Sequence, residues 1–151
     1  MKRLIIVASI AATFGATPVL AQVCSSGTNI TGAQLSSLLN NRYACIGSSP
    51  NATWNELHTA GKVLDYKLGP SHATDPSATA SNPTGTYATA GSGGPQGPGT
   101  VTYNYGSGGT YAYNVRANLT GTIPWSGTGT YSFCGTGGAS NFAVTISATN
   151  C

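Results

Sequence analysis

TVTYNYGSGGTYAYNV, residues 100–115, decides how this chain folds. Val101, Tyr103 and Tyr105 alternate with Thr100, Thr102 and Asn104, and Tyr111, Tyr113 and Val115 alternate with Thr110, Ala112 and Asn114. Strict period-two patterning in threonine, tyrosine and valine is what two half-buried strands require, and a low-complexity tract has no cause to keep it. GSGG at 106–109 stands where the connecting turn belongs. Turn length sets the register. A four-residue turn pairs Tyr105 with Thr110 and sends the two tyrosine rows to opposite faces, whereas an odd-length turn pairs Tyr103 with Tyr111 or Tyr113. A one-residue slip inverts every side chain, so the buried face selects the register. We expect the odd-length turn and one shared face.

Working outward, further strands read as Arg42–Ile46, Thr53–Thr59, Lys62–Leu68, Gly85–Ala90, Thr130–Cys134 and Phe142–Ser147, with 100–105 and 110–115 making about eight. Ala60-Gly61 is a tight hairpin connection between two of them. The glycines gather in GSGGPQGPG (91–99), GSGG (106–109) and GTGG (135–138) without a fixed period, which excludes a collagen-like repeat. GTY recurs at Gly85, Gly109 and Gly129, and we read it as a turn-to-strand transition rather than a repeat. Residues 71–83 read as a loop.

ITGAQLSSLLNNRYACIG (30–47) carries the one helix signal. Thr31 and Gln34 fit a capping box, and Leu35, Leu38 and Leu39 form one apolar face. Asn40-Asn41 is a suitable stop, because asparagine tolerates the left-handed conformation. Such a short helix needs a surface to rest on, so its leucines should plug the domain core.

The expected fold is mainly β: a single antiparallel meander or small lipocalin-like barrel of about eight short strands, preceded by one short N-terminal helix. This layout is similar to small lipocalin-like or protease- and lysozyme-inhibitor-like periplasmic barrels. The resemblance is architectural and rests on no specific motif, so it carries over no functional residues.

MKRLIIVASIAATFGATPVLAQ opens the chain with the layout of a cleaved secretory signal of bacterial type, a basic n-region followed by a short apolar stretch. We expect cleavage after Ala21, leaving one disulfide-stapled β domain over 22–151 in the periplasm or outside the cell. Removing Lys2 and Arg3 takes the formal net charge from +3 to +1. The four remaining cations (Arg42, Lys62, Lys67, Arg116) are too scattered for the basic stripe of a nucleic-acid or membrane-surface binder, so neither partner is expected, nor membrane insertion. Cys24, Cys45, Cys134 and Cys151 form an even set, which in a secreted chain implies two disulfides. Of three pairings we favour Cys24–Cys45 and Cys134–Cys151, each clipping a terminal segment to its neighbour. No C-x-x-C is present, so neither a zinc ribbon nor a thioredoxin-type centre is indicated.

The titratable inventory is short. WNELH (54–58) puts Trp54, Glu56 and His58 on one strand face, and Asp65 lies on the following strand. Glu56, His58 and Asp65 could bind a metal or act in acid–base chemistry. We favour a cross-strand ion-pair patch on the solvent side, with Leu64, Tyr66 and Leu68 facing the core. His72 and Asp75, in HATD, could add ligands. There is no G-x-S-x-G, H-E-x-x-H or P-loop lysine, and no cofactor is expected. Of the eight tyrosines and two tryptophans, Tyr103, Tyr105, Tyr111 and Tyr113 could line a barrel mouth, and Trp125, in the turn-rich GTIPWSGTG (121–129), could be an exposed aromatic contact.

The functional expectation is therefore a secreted or periplasmic, non-enzymatic binding module for an unknown small molecule, glycan or protein. The alternative is an extracellular matrix or filament subunit, self-associating through neutral tyrosine–threonine strand edges. A small metal-binding or hydrolytic protein built on Glu56, His58 and Asp65 comes third.

Overall fold

The computed structural model describes residues 24–46, 54–67, 79, 81–92 and 97–150, without the side chains of Trp54, Asp65, Tyr66 and Lys67. The expected signal segment, His72, Asp75, Leu68 and Cys151 lie outside the described residues.

The chain enters through a two-residue strand β1 (Thr28–Asn29) and helix α1 (Gly32–Leu39), then β2 (Arg42–Ile46), β3 (Trp54–Thr59), β4 (Lys62–Lys67), β5 (Gly85–Ala90), β6 (Thr100–Asn104), β7 (Thr110–Ala117), β8 (Gly129–Thr136) and β9 (Phe142–Ser147). From β2 to β9 every strand pairs antiparallel with its sequence neighbour, and β9 pairs back onto β2. That is an eight-stranded up-and-down barrel. Strand β1 is the extra member, laid on β7 through Thr28↔Ala117 and Asn29↔Arg116. Among the described residues, no helix is long and apolar enough to cross a membrane.

Register follows the hydrophobic pattern. Tyr103 pairs with Tyr111 and Val101 with Tyr113, across the odd-length turn 105–109. Residues directly opposite each other share a face, so one inward row propagates around the barrel. Tyr103 faces Tyr87, Glu56 faces Ala44, and Tyr131 faces Val144. Val101, Val115, Tyr131 and Ile146 have no exposed surface and belong to a single core with Tyr103, Phe133 and Val144.

Helix α1 closes one end of this barrel. The Thr31 hydroxyl accepts from the Gln34 amide at 3.1 Å, and the Gln34 side chain accepts from the Thr31 amide at 2.8 Å, completing the capping box. Asn41, just past the helix, takes a left-handed φ of 55° and turns the chain into β2. Leu35, Leu38 and Leu39 are wholly buried together with Ile30. The Gly32 amide donates to the Gly91 carbonyl at 2.7 Å, fixing the helix start to the end of β5. Arg42 spans the other end of the helix, its Nη1 donating to the carbonyls of Ser37 and Leu38. Beneath it the loop 118–128, with a cis Ile123–Pro124 bond, is held by the Tyr131 hydroxyl, which donates to Thr122 O at 2.8 Å.

Two expectations need correction. Cys24 is bonded to Cys134, not Cys45, with an S–S distance of 2.06 Å. Cys45 is also disulfide-bonded. The expected pairing minimised loop length, but barrel closure brings β8 alongside β7, on which the N-terminal segment lies. Tertiary proximity, not sequence separation, sets the partner. Second, Val63 and not Leu64 faces the barrel interior, because Val63 stands opposite the inward-facing His58. Leu64 is buried as well, but opposite Leu57 on the other face of the sheet.

Candidate functional site: an aromatic cavity at the end opposite the helix

At the far end the barrel holds a cavity of about 480 Å³. Six rings line it: Tyr103 of β6, Tyr105 of the following turn, Tyr111 and Tyr113 of β7, Phe133 of β8 and Phe142 of β9. Ala44, Ile46 and Val144 fill between them, and Glu56 reaches in from β3. The rings form a connected set. Tyr113 contacts Tyr103 at 5.9 Å, Phe133 at 6.1 Å and Phe142 at 5.9 Å between centroids. Tyr105 stacks on Tyr103 at 6.0 Å and meets Tyr111 at 6.2 Å. Edge-on and offset contacts of this kind hold aromatic groups in defined orientations. Gly85 makes room for the arrangement, since a Cβ there would stand 2.8 Å from the Tyr105 ring.

The polar groups beneath the rings are wired to one another. The His58 Nδ1 lies 3.1 Å from the Glu56 backbone carbonyl, which can only accept, so Nδ1 carries the ring proton. In the neutral ring Nε2 is then the acceptor, and the Tyr103 hydroxyl, 2.9 Å away, donates to it. Complete burial lowers the His58 pKa from 6.5 to about 4, against smaller opposing contributions from its backbone hydrogen bonds. The Glu56 Oε2 sits 4.0 Å from Nε2, but with a neutral imidazole that approach is no ion pair at neutral pH. Glu56 Oε1 accepts from the Tyr105 hydroxyl at 2.5 Å. Burial first, and the Glu56 charge second, push Tyr103 well above the ordinary tyrosine range, so its phenol stays protonated.

The solvent-side ion pair is therefore overturned. Glu56 is 8% exposed and His58 has no exposed surface, and both point into the barrel. His58 packs edge-on against Tyr87 and Tyr103 and satisfies both ring nitrogens, which lets a neutral imidazole enter a core. Asp65 stands opposite Glu56 in the β3–β4 register, with its side chain outside the description. Among the described residues no three His, Cys, Asp or Glu converge on a common point. Any metal at His58 would have to displace the Glu56 carbonyl or the Tyr103 hydroxyl.

Of the aromatic candidates, the structure brings Tyr103, Tyr105, Tyr111 and Tyr113 to one cavity. Trp125 is elsewhere. It lies at the helix end, partly buried against the core, with the Arg42 guanidinium 3.9 Å above its ring. Proline and glycine around it suggest exposure, but the Arg42 guanidinium covers its ring. Phe133, Phe142 and Val144 went unassigned as lining residues, although the alternation of Tyr131 with Phe133, and of Phe142, Val144 and Ile146, was a visible signal.

No known protein family, curated protein or solved structure matches this chain at a significant level. The chemistry of the cavity is thus the guide to its use. Its walls are π-faces and aliphatic groups, and its polar edge is a carboxylate and phenol oxygens. His58 Nε2, the nitrogen a general base would use, already accepts the Tyr103 hydroxyl's hydrogen bond, and Cys24, Cys45 and Cys134 are disulfide-bonded.

Proposed function

We propose that the chain is a non-enzymatic binding protein of the periplasm or cell exterior, which holds a small, largely apolar ligand in the cavity opposite the helix. The cavity carries this reading: about 480 Å³ enclosed by six aromatic rings, within the roughly 300–1,000 Å³ usual for small-molecule sites. The Cys24–Cys134 disulfide supports an oxidising compartment. Barrel closure also favours binding over assembly through strand edges. Each of β2 to β9 has two strand neighbours, which removes most of the unpaired edge that such assembly needs.

The test is a titration with the neutral fluorescent probe N-phenyl-1-naphthylamine. Saturable one-to-one binding is expected. It should weaken at least about tenfold in Ser140→Trp, which places a bulky ring at an exposed lining position. Non-saturable binding, or binding indifferent to that substitution, would sink the reading. Light scattering across a concentration series separates the alternative, because a fixed small mass excludes filament growth.

A further inference from the structure

Resting on that reading of the cavity, we infer that its ligand is a flat aromatic compound of several fused or linked rings, rather than an aliphatic chain or a saturated ring system. Size, wall composition and the ring contacts of the lining converge on this class.

Size comes first. A dry apolar cavity of roughly 150 Å³ holds one benzene. The cavity here, at about 480 Å³, is far larger than a single ring needs. One ring alone would leave much of the lining without contact atoms, and a gap of that kind forfeits dispersion energy. A body of several rings fills it.

The walls come second. Tyr103 of β6, Tyr113 of β7, Phe133 of β8 and Phe142 of β9 lie on successive paired strands and form an aromatic arc. Strand β2 stands four strands from β6 around the barrel, and so across the cavity from Tyr103. It delivers Ala44 and Ile46 to the lining. A wall of rings therefore stands opposite short aliphatic groups, and the larger surface that a ligand must match is aromatic.

The third feature is how the rings meet. Among the described residues they run in a row from Tyr111 to Tyr105, Tyr103 and Tyr113, with Phe133 and Phe142 both on Tyr113. Tyr111, Phe133 and Phe142 end this row, each with one ring contact there, and each lines the cavity. Ring faces are negative and ring edges positive. An aromatic ligand brings both and extends the row; a saturated skeleton brings neither. The lining hydroxyls of Tyr113 and Ser140 can each donate or accept, so they admit a polar substituent without fixing its type.

Three alcohols of equal carbon count test this by displacement of N-phenyl-1-naphthylamine: 2-naphthol, trans-decahydro-2-naphthol and 1-decanol. The two saturated compounds carry at least as much apolar surface, so general hydrophobicity does not favour 2-naphthol. It should nonetheless displace the probe at least about tenfold more tightly than either. Phe142→Leu keeps apolar bulk and removes one ring, and the ratio of 2-naphthol to decahydro-2-naphthol affinity should drop about threefold. If Phe142→Leu does not fold, Tyr111→Leu at the more exposed end of the row gives the same readout, with Tyr111→Phe restoring the ratio. Displacement by either saturated compound as tight as by 2-naphthol overturns the aromatic assignment and leaves the binding reading intact. So does a bound probe that 2-naphthol fails to displace, or a ratio that neither leucine variant moves. A wild-type protein that binds neither the probe nor any of the three alcohols overturns both.

Discussion

At one end of the barrel Ile30, Leu35, Leu38 and Leu39 have no exposed surface; at the other, Tyr111 keeps 41% of its own and Tyr105 and Tyr113 remain partly exposed. The same strands run through both ends, so the difference lies in the side chains they deliver. Branched aliphatic groups from a capped helix interdigitate and leave no room. Flat rings with polar tips brace one another edge to face, and their hydroxyls tolerate contact with water. The helix end is built to be filled, the aromatic end to stay open.

The strongest way to break this contrast is to remove bulk at the filled end. Leu38→Ala should destabilise the protein by about 2–5 kcal/mol, read as a lower urea midpoint at an unchanged slope. A loss near zero would mean that α1 is not a structural plug. The disulfide ties the segment leading into β1 and α1 to β8, beside the cavity residue Phe133. Replacing Cys24 and Cys134 together by Ser should cost about 2–4 kcal/mol by the same measurement.

His58 lies between the two regions and adds a pH dependence. Burial lowers its pKa from 6.5 to about 4, so in that window the unfolded chain takes up a proton that the folded chain refuses. Stability contributed by the neutral ring is complete above pH 6.5 and falls as the pH drops toward 4, by up to roughly 3 kcal/mol. His58→Gln should flatten the profile between those values, whatever it does to stability at neutral pH. A wild-type stability that stays level from pH 6.5 to 4 would contradict the buried neutral imidazole.

The smallest effects sharpen the comparison. Ala60 and Gly61 form a two-residue hairpin turn in which both φ values are positive, 47° and 76°. An alanine there is strained, so Ala60→Asn should raise stability by roughly 0.5–1 kcal/mol in thermal or urea unfolding. Tyr111→Ala, at the open end, should change stability by less than about 1 kcal/mol while weakening probe binding. If it destabilises as much as Leu38→Ala, the rings are core and the two ends do not differ in purpose.

The corrected expectations share a cause. Glu56 and His58 were assigned to solvent because charged residue types in an alternating strand usually face water. Nothing local to WNELH shows that a carbonyl two residues back and a phenol 45 positions away satisfy both imidazole nitrogens. Trp125 was assigned to the surface because of its turn-rich neighbours, and Arg42, far off in sequence, covers it. Cys24 was paired with the nearest cysteine, although closure of the barrel brought Cys134 closer in space.

By itself the sequence determined the elements: eight strands from period-two alternation and glycine-marked turns, the helix from its capping box and leucine spacing, and the shared face of the two tyrosine rows of β6 and β7, while the choice of Tyr111 over Tyr113 opposite Tyr103 came from the structure. These are short-range properties, set by residues within a few positions of one another. Only the tertiary structure decided that the meander closes, that the helix seals one end, and that the tyrosine rows surround a space with Glu56 at its edge. Those outcomes depend on β9 reaching β2 and on which face curls inward. Both are settled by burying the whole inward row together, a sum over contacts that no single stretch of the chain contains.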